Sequence, residues 1–267
     1  MKFVETIIKS ILTKKENLFL FYMLSNSNLD LMLDYFKSLL ASSHFDFEDL
    51  KKIINGVLIT QQKMLETLLL YIYSEMNKEN TFLMNLYDDS DMTGEFNNLF
   101  RVRLLQTIRN FGTVTEKNKI GLKYSRLRYL LDQFGYGNYA KKNLNTTIAT
   151  KVDFSILETS IFGLDYRDDT DIILCDSAYY YVDHLIYTYR YMQTVIPDTR
   201  MDYRVDFLEL KGNLKKIDNQ INEFIKFIER CEKKERTVVS KTFKPAISEK
   251  MKQGFARDRT RQMSSGR

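Results

Sequence analysis

Several residue types are scarce in this chain, and each scarcity excludes a kind of protein. Its 267 residues include two cysteines, too few for a disulfide framework, and two histidines, too few for a histidine-rich metal site. Two prolines and ten glycines leave long stretches open to helix formation. The sequence has no apolar run of about 18 residues, and Glu5 and Lys9 interrupt what would be a signal peptide. We therefore expect a cytoplasmic protein with no membrane partner.

The sequence also lacks the short motifs that mark common catalytic sites. It contains no G-x-x-x-x-G-K-[ST] loop for nucleotide phosphates and no G-x-S-x-G nucleophile elbow. Cys175 and His184 could form a Cys-His pair, but His184 stands in an aromatic segment, where a core histidine is the more common case. We expect a protein that is not an enzyme and that holds neither a cofactor nor a metal.

What the chain does contain is ordinary for a globular protein, apart from its charge distribution. Apolar residues make up 44% of it and charged residues 28%, with 18 Phe and 17 Tyr for a core. The net charge is +5, but Arg230–Arg267 alone holds twelve basic and four acidic residues. The positive charge is therefore concentrated near the C-terminus and in one central stretch.

That central stretch, residues 99–202, is typical of a winged helix: three helices, a two-stranded hairpin and a closing helix. Apolar residues at steps of three and four predict the helices, Gly112 and Gly135 end two of them, and alternation predicts the strands. Ser125 is the expected N-cap of the second helix, Asp176 or Ser177 that of the closing helix, which Pro197 stops. The predicted elements are helices Arg101–Gly112, Tyr124–Gly135, Asn138–Thr150 and Ala178–Ile196, and strands Phe154–Thr159 and Ile172–Leu174.

In a helix-turn-helix the third helix enters the major groove of DNA with its N-terminal end first. Arg101–Lys142 carries ten Lys or Arg and two acids, a local net charge of +8 that favours a polyanion. The tip of the predicted wing, the loop between the two strands, is acidic, with Asp165, Asp168, Asp169 and Asp171. Winged helices also serve as protein-interaction modules, so nucleic-acid binding and protein binding both stay open. The candidate nucleic-acid contacts are Lys123, Arg126, Arg128, Asn138, Tyr139, Lys141, Lys142, Asn143 and Asn145.

The segments on either side of the winged helix are also predicted to be mainly helical. Residues 1–98 form a helical bundle, 203–236 one long helix, and 237–267 a basic tail that is partly disordered. The long helix carries a heptad seam that could pair with its own copy, with another protein, or with helices of this chain. The seam residues are Phe207, Leu210, Leu214, Ile217, Ile221, Phe224 and Ile228.

The closing segment, DSAYYYVDHLIYTYRYMQTVIPDTRMD, resembles the end of the winged-helix region that follows the ATPase core in bacterial AAA/STAND-type P-loop NTPases, many of them defence-associated. Ser25–Ser42 is similar to the lid helix of that family, although Asp30 stands where the family has a nucleotide-sensing arginine. Gly94–Gly112 is similar to the junction that enters the winged helix. The positions that match the family are Asn28, Tyr180, Tyr181, Tyr191, Asp198 and Thr199.

The resemblance covers about Ser25–Asp202 and implies the lid and winged-helix part of such an NTPase without its ATPase core. None of the matched positions is catalytic. Two functions follow: a winged-helix protein that binds nucleic acid, first of all DNA, within an anti-phage defence system, or an adaptor that assembles with an effector or ATPase through the winged helix and the seam. The adaptor could also form a homo-oligomer.

Overall fold

The computed structural model describes residues 2–41, 45, 47–70, 84–88, 97–116, 118–153, 155–160, 165–196, 199 and 214–265. Contacts between residues divide the chain into a first unit, Met1–Met84, and a second unit, Asn85–Arg267. The fold class is as expected, mainly helical with a small antiparallel sheet. None of the described helices is long and apolar enough to cross a membrane.

The first unit is the expected helical bundle. Asn28 caps one of its helices, because its side-chain oxygen accepts the N–H groups of Asp30 and Leu31 at 2.9 and 3.2 Å. Buried Asn17 donates to the carbonyls of Ser10 and Ile59 at 2.9 and 3.0 Å, which ties two helices to the segment before the last one. The helices are α1 (Lys2–Thr13), α2 (Lys15–Leu24), α3 (Leu29–Ala41), α4 (Phe47–Ile54) and α5 (Gln61–Leu70).

The second unit begins with the winged helix, whose elements follow the order predicted from the sequence. Two short strands, β1 and β2, were not predicted, because segments of two and four residues show no alternation that could identify them. All strand pairs are antiparallel, in the order β1-β2-β4-β3. The elements are α6 (Phe100–Phe111), β1 (Thr113–Val114), β2 (Ile120–Lys123), α7 (Tyr124–Gln133), α8 (Gly137–Asp153), β3 (Leu157–Thr159) and β4 (Asp171–Leu174).

The prediction of a single closing helix is wrong. The segment forms α9 (Asp176–Asp183), a 3₁₀ turn (Leu185–Tyr187) and α10 (Tyr189–Val195). The hydroxyl oxygen of Thr188 accepts the N–H of Tyr191 at 3.2 Å and so caps α10. A carboxylate oxygen of Asp258, far along the chain, accepts the N–H of Tyr189 at 3.0 Å. These two acceptors satisfy the N–H groups of a new helix start, which a continuous helix would have bonded internally.

The C-terminal part of the second unit contains three helices. It consists of α11 (Leu214–Lys234), α12 (Thr237–Thr242) and α13 (Ile247–Ser265), whereas residues 203–213 of the predicted long helix lie outside the described residues. In the predicted basic tail, α13 is helical to Ser265, and the partial disorder expected there stays a prediction. Its first turn is held by Glu232 of α11, whose carboxylate accepts the N–H of Ile247 at 2.7 Å.

Candidate nucleic-acid interface

Helix α8 is amphipathic, and its geometry decides which of its polar residues face outward. A stripe at spacings of three and four is buried against the rest of the winged helix: Ala140, Asn143, Leu144, Thr147, Ile148 and Lys151. Asn138, Lys141 and Lys142 lie on the opposite face and are exposed. These three side chains are therefore accessible to a ligand, and their contact with a nucleic acid stays a prediction.

Three other candidates on α8 have structural roles instead. Asn143 belongs to the buried stripe and is only 2% exposed, so it cannot reach a base edge. The side-chain oxygen of Asn145 accepts the hydroxyl of Tyr124, which ties α8 to the start of α7. Tyr139 packs against Phe100 of α6, with the ring centroids 4.7 Å apart. The prediction was wrong for Asn143 because a recognition helix must also pack on its own domain.

Helix α7 contributes the second part of the interface. Arg126 and Arg128 are both exposed, as predicted. The guanidinium of Arg126 lies over the ring of Tyr129, 5.1 Å from its centroid, and Tyr129 itself is 53% exposed. The guanidinium of Arg128 lies 5.7 Å from the ring centroid of Tyr124. The exposed face of α7 thus combines cations with an aromatic surface.

A cleft of about 350 Å³ separates the exposed faces of α7 and α8. Arg128 projects from α7 and Lys141 from α8, so two cations from different helices meet at one opening. The cleft has a small-residue wall at Gly137 and Ala140. It is lined by Ser125, Arg128, Tyr129, Asp132, Gly137, Ala140, Lys141 and Asp168.

The acidic wing is fastened to the start of α7. The predicted N-cap of α7, Ser125, is wrong, because Lys123 occupies that position. The hydroxyl of Ser125 instead donates to the Asp168 carbonyl at 2.8 Å. Lys123 donates to the Asp169 carbonyl and to the Asp171 carboxylate, both at 2.8 Å. The Asp168 carboxylate lies 3.9 Å from the Arg128 guanidinium. The Asp168 carboxylate of the wing therefore borders the same cleft as the cations.

The basic stretch 101–142 is less exposed than its net charge implies. Arg101 and Arg103 are buried, and ion pairs within the second unit engage Arg109 with Asp183, Lys119 with Glu158 and Lys123 with Asp171. Lys117 lies outside the described residues. Among the described cations of this stretch, Arg126, Arg128, Lys141 and Lys142 are exposed and have no close ion pair, although Arg128 lies 3.9 Å from Asp168. Lys123 is exposed as well but is bonded to Asp171 at 2.8 Å. Four of the ten cations counted along the sequence are therefore available to a ligand.

Three residues of the heptad seam pack within the second unit itself. Ile221, Phe224 and Ile228 are completely buried on the face of α11 that packs against α10 and α13. Ile217 is half-buried. Phe207, Leu210 and the side chain of Leu214 lie outside the described residues. Of the alternatives left open by the sequence, packing on the chain's own helices is the one found for the three buried side chains.

The remaining candidate chemistry does not form a nucleophilic centre. Burial, followed by the charge of Glu158, raises the pKa of the Cys175 thiol to about 12, so the thiol is protonated at neutral pH. His184 is exposed rather than in the core as expected, with its ring 5.9 Å from that of Tyr180. The described residues contain no group of three or more His, Cys, Asp or Glu that could hold a metal ion.

Six residues that line the cleft were not among the predicted contacts: Ser125, Tyr129, Asp132, Gly137, Ala140 and Asp168. A signal for three of them was present in α7, because Arg128 and Tyr129 stand three and four positions after Ser125, and Asp132 stands four and three positions after them. That spacing marks a single polar face of the helix. The candidates on α7 were chosen for their positive charge, so the aromatic and acidic residues of the same face were not included.

No protein-family model, curated protein or solved structure matches the chain. Its function is therefore inferred from the interface.

Proposed function

We propose that this chain is a winged-helix protein that binds nucleic acid, first of all DNA, and has no enzymatic activity of its own. One observation carries the proposal: Arg128 of α7 and Lys141 of α8 line the same cleft, with exposed Arg126 and Lys142 on the same two helices. Cations from two helices around one opening suit a phosphate backbone, which presents charges at regular intervals.

The number of exposed cations sets the expected salt dependence. If each of the four contacts one phosphate, the slope of log K against log salt is about −4 on B-DNA and about −3 on a single strand. A much steeper slope would require cations that the second unit holds in ion pairs. We expect most of the affinity to come from contacts with phosphates, which do not depend on sequence. Any sequence readout should be limited to the side chains near Asn138.

The test is a binding titration by fluorescence anisotropy at several salt concentrations. The double variant K141E/K142E should lose binding and flatten the salt slope, because it reverses two exposed charges at the cleft. The matched control is K51E/K52E on α4, which makes the same change of charge at two exposed lysines of the first unit. Equal losses in the two variants would mean a general charge effect and would refute the interface.

The proposal includes the biological setting that the family resemblance implies, anti-phage defence. Its support is the shared order of the motifs around Asn28, Tyr180 and Tyr191. Cells that express the wild-type chain with its genomic neighbours should resist phage infection, and cells that express K141E/K142E should be sensitive. If the variant protected cells as well as the wild type does, the nucleic-acid interface would have no role in defence. If neither protected them, the defence role itself would be refuted.

A second candidate function, a protein adaptor, is favoured by the surface of the first unit. Large apolar side chains are exposed there, among them Leu12 (63%), Leu29 (68%) and Phe47 (78%). Exposed apolar surface of this kind is common where a protein partner binds. Under this hypothesis an effector or ATPase should be recovered with the wild-type chain after nuclease treatment and lost with L12S/F47S. Retention of that partner by the variant would exclude this surface.

A further inference from the structure

We propose that the nucleic acid bound at this interface is single-stranded, and that the cleft between α7 and α8 accepts one base, which stacks against Tyr129. The inference rests on the proposed function and specifies its ligand. It follows from three features of the cleft: an exposed aromatic ring, a mixture of charges, and the acidic wing on its border.

Tyr129 provides the stacking surface. Its ring is 53% exposed and lines the cleft. The guanidinium of Arg126 lies over the ring, 5.1 Å from its centroid. Bases splayed out from a single strand stack on aromatic rings and on guanidinium planes, whereas the bases of a duplex are already stacked on one another.

The cleft contains both positive and negative side chains, which would bind different parts of a nucleotide. Arg128 and Lys141 supply positive charge, one from each helix, and both are exposed to a passing backbone. Asp132 and Asp168 line the same cleft, and their carboxylates repel a phosphate while accepting N–H groups from the edge of a base. The volume of about 350 Å³ lies near the lower end of the range for small-ligand sites, roughly 300–1,000 Å³, as a single nucleotide requires.

The wing makes a duplex a poorer ligand than a flexible strand. Three exposed acids, Asp165, Asp168 and Asp169, project from it beside one exposed cation, Arg167, so its charge is net negative. The bonds from Lys123 and Ser125 hold it beside α7. A rigid duplex laid along α8 carries two phosphate backbones, so it brings many charges within a Debye length, about 10 Å, of these carboxylates. A single strand has one backbone, which can bend away from the wing once a base is seated.

The experiment compares three ligands of one sequence with the full-length protein: single-stranded DNA, single-stranded RNA and blunt duplex DNA. Anisotropy titrations at matched salt should show tighter binding of a single strand than of the duplex. Tyr129→Ala should weaken single-strand binding roughly 5- to 100-fold, the usual consequence of losing one base–aromatic stack. Tyr129→Phe keeps the ring and should bind as the wild type does, which separates stacking from misfolding.

The outcomes are distinct. Single-strand preference that Tyr129→Ala removes and Tyr129→Phe keeps supports the inference, and the better of the DNA and RNA strands identifies the ligand. Duplex binding that equals single-strand binding, or a Tyr129→Ala variant with unchanged affinity, overturns the inference. In that case the proposed function still stands if K141E/K142E loses binding to any of the three ligands. Absence of binding to all three overturns the proposed function, and with it the inference.

Discussion

Arg103 of α6 and Glu235 at the end of α11 form a buried bidentate ion pair across the second unit. Arg103 Nε lies 2.8 Å from one carboxylate oxygen of Glu235, and its Nη2 lies 2.6 Å from the other. Arg103 is 1% exposed. Two parallel charge-assisted hydrogen bonds fix both the distance and the orientation of the two side chains. The pair thereby links α6 to the C-terminal end of α11.

The ion pair belongs to a larger buried network. Arg103 also donates to the Gln106 oxygen at 2.8 Å, and its guanidinium lies 5.1 Å from the centroid of the Phe243 ring. The hydroxyl of Tyr136 donates to Glu235, and burial together with the Glu235 charge holds the pKa of Tyr136 well above its usual value. Through Tyr136 the network positions the turn before α8. The interface therefore depends on these buried residues, although none of them belongs to it.

Arg103→Met should therefore lower the free energy of unfolding by about 3–5 kcal/mol, because it leaves the Glu235 carboxylate buried without its cation. Urea unfolding followed by circular dichroism measures the loss. The double variant Arg103→Met/Glu235→Met should recover part of it, since the Glu235 charge is then gone. Glu232, whose carboxylate lies 3.4 Å from Arg103 Nη2, still lacks its cation in that variant. A single variant within about 1 kcal/mol of the wild type would show that the pair is open to water in solution.

The Arg103 pair also shows where sequence reasoning reaches its limit. The period of apolar residues along α6 predicted the helix to within a residue of each end. The same stretch was counted as basic surface, because nothing in the sequence links Arg103 to an acid more than a hundred positions away. Local periodicity predicts elements, whereas the fate of a charge depends on tertiary contacts that bring distant segments together.

Gly254 of α13 gives a prediction whose sign differs from the usual rule. A methyl group at this position would overlap the carbonyl oxygen of Tyr187, in the 3₁₀ turn that interrupts the closing segment. In an open helix, alanine in place of glycine stabilises by about 0.8–1.0 kcal/mol. Here Gly254→Ala should instead lower the free energy of unfolding by about 1–3 kcal/mol, as overpacking does.

The control for Gly254→Ala is Gln253→Ala, an exposed position on the same helix where the unfolding midpoint should change little. Urea titrations of both variants decide the matter. A stabilised Gly254→Ala protein would mean that α13 does not pack closely on the turn. The same close packing explains why one closing helix was predicted and two were found: the interruption is set by α13, about sixty residues further along the chain.

The two thiols should differ sharply in reactivity. The pKa of Cys175 is raised to about 12, so between pH 7 and this value the thiol stays protonated in the folded protein and gains reactivity only at higher pH or on unfolding. Cys231 is half-buried and lines a second cleft. At pH 8, iodoacetamide should label Cys231 and leave Cys175 unmodified, as read by peptide mass spectrometry. In urea both should react. Labelling of native Cys175 would place it on a surface and reopen the case for thiol chemistry.

The size of the basic surface can be tested with two substitutions that remove the same charge. Lys142 is exposed on α8, and the described residues include no ion pair of Lys142. Lys119 pairs with Glu158 at the end of the sheet. If only exposed cations bind phosphate, Lys142→Gln should reduce the salt slope by about 0.7–0.9 and Lys119→Gln should leave it unchanged. Equal reductions would mean that the ion pairs open to the ligand, and that the charge counted along the sequence, rather than the charge exposed in the fold, determines affinity.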